Sequence, residues 1–252
     1  MDKDSKRPVI RVALVSSTRA VFGPMEAAFR DVFPEAQILH LLDETLIEDF
    51  LREGGLSAHS RRKALQMALT AQEAGVDGIL VTCSTLSPSV EDMRPFLGIP
   101  IVKIDEPVIE EVVQKAEKIG LLATAQSVLK SVEPLVEKKA KDLSRRISIR
   151  PFIKSDVWPL LQKDPAGFYR AIAEAATEAA QHCQAVILTQ VSIAPGRDYM
   201  EEKIRNRVYA SPVYAVQAIR RILLNAEFKK APREERGRSS KKGNVGSETT
   251  YK

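Results

Sequence analysis

The chain has 252 residues, 44% of them apolar and 28% charged, enough for one large core or two smaller ones. Its apolar runs are of strand length, short of the roughly 20 residues a membrane span needs, and Met1 to Pro8 is too polar for a signal peptide, so a soluble cytoplasmic protein without a membrane partner is expected. The net charge of +5 resides in the tail, where eight Lys and Arg stand against three Glu from Lys229 onward; phosphate recognition needs its positive charge on the folded surface, so nucleic acid is not an expected partner.

Taken in chain order, short β-branched runs alternate with amphipathic stretches. Arg11–Ser17 reads as a parallel strand buried on both faces, Pro24 to Val32 as a helix, and Gln37–Leu42 as a second strand. Ser57 to Ala74 reads as a helix closed by Gly75. The strand Gly78–Thr82, a short helix starting near Ser89 and the strand Ile99–Ile104 complete the first half. The second half repeats the rhythm with a helix at Pro107 to Ala116, a strand at Lys118–Ala123 and a helix from Ala125 to Lys141 that tolerates Pro134. The strand Ile147–Ile153, the helix Phe168 to His182, the strand Ala185–Thr189, a weak strand near Val208 and the helix Val213 to Leu224 follow. Alternation of this kind implies an α/β protein with parallel sheets and right-handed crossovers.

A shift of 107 residues superimposes the halves. It carries Val12–Ser17 onto Ile119–Thr124, and Gly78–Thr85 onto Ala185–Ser192, so that Cys83 falls on Gln190. Ligands of parallel sheets bind beyond the carboxyl ends of strands. Ser17, Thr18, Cys83, Ser84, Thr85, Thr124, Thr189, Gln190, Val191 and Ser192 all lie there, and four such loops converge only if the halves face each other across a cleft. Cys83, followed by hydroxyls at a loop leading into a helix, is placed among backbone N–H groups that favour a thiolate and bind anions.

The segments Val81–Thr82–Cys83–Ser84–Thr85, Leu122–Ala123–Thr124, Ile187–Ser192 and Tyr209–Ala210–Ser211–Pro212 are similar to segments of the aspartate/glutamate/hydantoin racemase superfamily. This group of cofactor-independent racemases has maleate isomerase and arylmalonate decarboxylase among its relatives. The resemblance spans residues 9–228. It implies two flavodoxin-like lobes related by a pseudo-twofold axis, with the active-site cleft between them. The first lobe would be 1–105, with the C-terminal helix 210–228 packing back on it; the second would be 106–209, and 229–252 a basic disordered tail. It further implies a small carboxylic acid, an amino acid or related compound, as substrate, and no cofactor.

In the racemases two cysteines flank the substrate carbon, one taking the α-proton and the other returning one. Here Gln190 stands where the second thiol is expected, and an amide neither takes nor gives a proton near neutral pH. The expectation is therefore a cofactor-independent racemase/isomerase-family enzyme that works with one base. Cys83 is its acid/base, Gln190 bonds the intermediate, and Ser17, Thr18, Ser84, Thr85, Thr124, Thr189, Val191 and Ser192 bind substrate through hydroxyls and amides. A one-thiol decarboxylase of a malonate-type acid and a catalytically inactive acid-binding protein are the alternatives.

Other residues are weaker candidates. Cys183 begins a strand at the end away from the cleft and reads as packing. No cysteine or histidine spacing suggests a metal site. His40 could reach the cleft but suits a structural hydrogen bond. Arg19 could pair with a second carboxylate or face solvent; Lys103, Asp105 and Glu106 could rim the pocket or form surface pairs; Trp158 could pack over a lobe or line the mouth. A homo-oligomer is left open.

Overall fold

The computed structural model describes residues 9–225; the basic tail lies outside the described residues. The first half contains β1 (Ile10–Ser16), α1 (Phe22–Val32), β2 (Ala36–Leu42), α2 (Thr45–Glu53), α3 (Ala58–Glu73), β3 (Gly78–Val81), α4 (Val90–Met93) and β4 (Ile101–Lys103). Next come α5 (Glu106–Lys115), β5 (Lys118–Ala123), α6 (Gln126–Asp142), β6 (Ser148–Ile153), α7 (Leu160–Lys163) and α8 (Pro165–His182). The chain continues through β7 (Ala185–Leu188), α9 (Glu202–Arg205) and β8 (Val208–Ala210) to α10 (Ser211–Leu224). Two four-stranded parallel sheets result, ordered β2-β1-β3-β4 and β6-β5-β7-β8.

The 107-residue shift holds in the strand registers. Val12 opposite Gly78 becomes Ile119 opposite Ala185, and Ile79 opposite Ile101 becomes Val186 opposite Val208. Only the outer strand departs, because Ile38 opposite Val12 becomes Ile149 opposite Ile119, a shift of 111. Even the strand-start contacts match: Asp77 accepts from the Arg11 N–H at 2.9 Å, and Gln184 from the Lys118 N–H at 3.0 Å.

Local chemistry sets the helix ends. Ser57 accepts from the Ser60 N–H at 3.1 Å to start α3, and Gly75, at φ +74°, allows the chain to leave it in a left-handed conformation. Asp164 accepts from the Gly167 N–H at 2.9 Å and Pro165 follows it, an ordinary start for α8. The sequence reading lacked α2, whose start is marked by Asp43 accepting from the Thr45 N–H at 2.9 Å and whose Leu46 and Phe50 are buried four residues apart.

Each sheet is covered on both faces. In the first, α3 covers one face through Ala64, Ala68 and Ala71, while α1 and α10 cover the other. In the second, α8 covers one face and α5 with α6 the other. The last helix of each half is thus exchanged. Helix α5 follows the first sheet yet buries Val108, Ile109, Val112 and Val113 against β5 and β7, while α10 follows the second sheet yet buries Val216, Ile219 and Leu223 against Val12, Leu14 and Leu80. Gly78 permits this close approach, since a Cβ there would lie 3.0 Å from Ile219 Cδ1 and 3.3 Å from Leu223 Cδ2.

Candidate active site

The loops after β1, β3, β5 and β7 meet at a cavity of about 440 Å³ between the lobes. Ser17, Thr18, Cys83, Ser84, Thr85, Thr124, Gln190, Val191 and Ser192 all line it. Thr189 does not: its side chain turns back and donates to the Leu122 carbonyl at 2.9 Å, as Thr82 does to Val15 at 3.2 Å. Each of these carbonyls accepts the N–H of the same threonine as well, at 3.0 Å, so the Thr189 hydroxyl uses the second lone pair of the Leu122 carbonyl, and the expected substrate-binding side chain at Thr189 is a structural one.

The two walls are built alike and end in different chemistry. On the first, Ser17 Oγ lies 2.9 Å from Cys83 Sγ, and Thr85 Oγ1 lies 2.9 Å from the same sulfur. The 107-residue shift turns the first contact into Thr124 Oγ1 to Gln190 Oε1, also 2.9 Å, and the Thr124 N–H donates to that oxygen at 2.8 Å. A backbone N–H can only donate, so the amide oxygen of Gln190 faces Thr124 and the amide nitrogen is the group left for the cavity. Beneath Ser17, Ser16 and Thr82 share a buried hydrogen bond of 2.8 Å that ties β1 to β3.

Two contacts tie the walls together. Ser84 Oγ donates to the Thr189 carbonyl at 2.9 Å from across the cleft, which commits that hydroxyl to the fold. Val191, on the 3-10 segment Val191–Tyr199, is 3% exposed and packs into the first lobe's core with Val21 and Met25.

The rest of the lining comes from residues beyond the strand ends: Val21, Ile47, Thr82, Ala125, Ser127, Val128, Ser155 and Trp158. Sequence reasoning placed only Trp158 among the candidates. Val21 and Val128 are related by the 107-residue shift, a signal available in the sequence; the shift of 111 relates Ile47 to Trp158. Among the described residues, no Asp, Glu, Lys, Arg or His lines the cavity. Helix α6 begins at its edge with Ala125 as N-cap, so no side chain caps its first turn, and its N–H groups and dipole favour an anion there.

The remaining candidates lie elsewhere. Arg19 is 74% exposed and engages both carboxylate oxygens of Glu44, at 3.0 and 2.5 Å, in an outer recess that shares Thr18 and Trp158 with the cavity. His40 lies 3.2 Å from Glu26 and packs on Phe22. His59 and His182 are exposed. Lys103 pairs with Glu91 at 2.6 Å, and Glu106 lies near Arg94 and Lys139.

Asp105 is buried outside the cavity lining, where Ser87 donates to its Oδ1 at 2.9 Å and Oδ2 has no partner; burial pushes its pKa up to about 6. Cys183 is 4% exposed in the core beside α8, and burial pushes its thiol up. Among the described residues no group of three or more His, Cys, Asp or Glu could hold a metal ion, and no helix is long and apolar enough to cross a membrane.

Comparison with known proteins agrees with this architecture. Among solved structures the fold is similar to a glutamate racemase from Bacillus anthracis, at TM-score 0.67 and 13% identity over 86% of this chain and 82% of that one. It is also similar to an allantoin racemase from Klebsiella pneumoniae, at TM-score 0.65 and 18% identity over 85% and 87%. An aspartate racemase from Picrophilus torridus matches at TM-score 0.62 and 12% identity over 83% and 92%. The search of curated proteins found no match. The family model described as Asp/Glu/Hydantoin racemase matches residues 10–219, both lobes and all four cavity loops, and the chain belongs to that family.

Proposed function

We propose that this member of the racemase family is a one-base isomerase of a small carboxylic acid, working without a cofactor. One observation carries the reading: Cys83 and Gln190 occupy equivalent positions on facing walls, and only Cys83 can move a proton. The carboxylate would lie toward the start of α6 and the hydroxyl of Ser192, with the α-carbon against Cys83. The Cys83 thiolate takes the α-proton, the C–H electron pair moves into the carboxylate to give an enediolate, and the same sulfur returns the proton to a different, conjugated carbon, which completes the isomerisation; return to the α-carbon regenerates the substrate. Ser17 and Thr85 hold the sulfur by hydrogen bonds, and the Gln190 amide N–H donates to the enediolate oxygen, whose charge grows as the proton leaves.

The same single thiol would serve a decarboxylation, in which loss of carbon dioxide leaves the carbanion that Cys83 protonates. Incubating amino, hydroxy and malonic acids in deuterium oxide distinguishes the two. One-base proton transfer exchanges deuterium onto the α-carbon with chirality retained; decarboxylation releases carbon dioxide. Cys83→Ala should lower either activity by about a hundred- to ten-thousandfold. Full activity in that variant would remove Cys83 from the chemistry, and binding with neither product would mark an acid-binding protein.

A further inference from the structure

The uncharged lining of the cavity restricts what it can hold. On the basis of the functional reading above, we propose that the substrate is a monocarboxylic acid that carries an apolar aromatic or branched substituent on its α-carbon and has no ammonium group.

Three features of the site argue for this class. First, the polar groups cluster at the strand ends, around Ser17, Cys83, Thr85, Thr124, Gln190 and Ser192, while Val21, Ile47, Val128, Val191 and Trp158 supply an apolar surface. An ammonium group bound among them would lose water without gaining a carboxylate partner, which burial of a charge requires. Second, the uncapped N–H groups that could hold an anion lie on one side of the cleft, at the starts of α6 and of the 3-10 segment Val191–Tyr199 in the second lobe. The α6 start is uncapped, whereas in the first lobe the 3-10 turn at Arg19–Val21 is capped by Thr18, whose Oγ1 accepts from the Ala20 N–H at 3.3 Å. Third, Arg19, the cation of that loop, is engaged through Nε and Nη2 by Glu44 and faces the outer recess. A side-chain carboxylate, as in aspartate or glutamate, therefore finds no counterion in the cavity.

The chemistry agrees with the lining. Proton transfer from Cα to the Cys83 sulfur leaves an electron pair that must be delocalised. Without an α-ammonium to withdraw charge, conjugation with an aromatic substituent lying against Trp158 and Ile47 assists the carboxylate.

Trp158 is the single tryptophan of the chain and lines the cavity, so its emission reports on occupancy. The full-length protein is titrated with 2-phenylpropanoate, aspartate and glutamate, each enantiomer separately. We expect the phenyl acid to perturb Trp158 emission with an affinity at least about tenfold above that of either amino acid. Equal or tighter binding of aspartate or glutamate overturns the proposal, as does the absence of any response to the phenyl acid.

Ile47→Arg places a cation at the half-buried apolar wall and should weaken the phenyl acid while bringing the dicarboxylates to parity. A folded Ile47→Arg protein with unchanged ranking overturns the proposal, and the wild-type ranking decides alone if that variant fails to fold. Deuterium exchange on the same ligands separates the two readings. The expected ranking without exchange supports the ligand class and overturns the catalytic reading; exchange on glutamate with the reverse ranking does the opposite.

Discussion

The matched positions of Cys83 and Gln190 make the exchange of one side chain a direct test of the chemistry. Gln190→Cys sets a second thiol on the opposite wall beside Thr124, and is expected to convert α-deuteration with retention into racemisation, followed by the loss of optical rotation. Retained chirality in that variant would count against the placement of the substrate between the two walls. Asp105 gives a second residue-level test. Folded, it keeps its proton to about pH 6, whereas unfolded it loses it near 3.8. The folded state therefore binds more protons between these values, and stability falls as pH rises through them. The difference amounts to about 3 kcal/mol at most. Asp105→Asn should flatten this slope, read as urea midpoints at about pH 4 and about pH 7; equal slopes in both proteins would show that another group titrates there.

At the level of elements, helix α10 holds the first lobe's face closed. Ile219→Ala, at a fully buried position against β3, should cost about 2–5 kcal/mol of unfolding free energy in denaturant titration; a loss below about 1 kcal/mol would mean that the face repacks. The strands were legible because a parallel strand covered on both faces leaves an uninterrupted apolar run, and β1, β3, β5 and β7 fall within a residue or two of their sequence readings. The edge strand read as Ile99–Ile104 pairs only over Ile101–Lys103, since pairing length depends on the neighbour β3 and not on composition. Helix α2 was missed because nine residues carry too few turns for a clear period, although its Asp43 start and the Leu46 and Phe50 spacing were available. The strand-end rule located the loops of the site, but it does not reach Ile47 on α2 or Val128 on α6, which tertiary packing brings in. It also does not decide which way a hydroxyl turns, hence the different fates of Thr124 and Thr189.

On the scale of the whole molecule, each lobe's core contains a helix contributed from beyond the other lobe's sheet, and α5 and α10 pack on each other. Neither core is complete without the other, so residues 9–225 should unfold in a single transition with calorimetric and van't Hoff enthalpies equal; two separate heat-absorption peaks would contradict this coupling. The exchanged helices also bear on ancestry. Two copies of one half, each lending its last helix to its neighbour, form a domain-swapped dimer. In such a dimer every residue on one face of the cleft is repeated on the other, so a thiol must look at a thiol. Joining the copies in one polypeptide lifts that restriction: each wall can mutate independently, and a cysteine can come to face a glutamine.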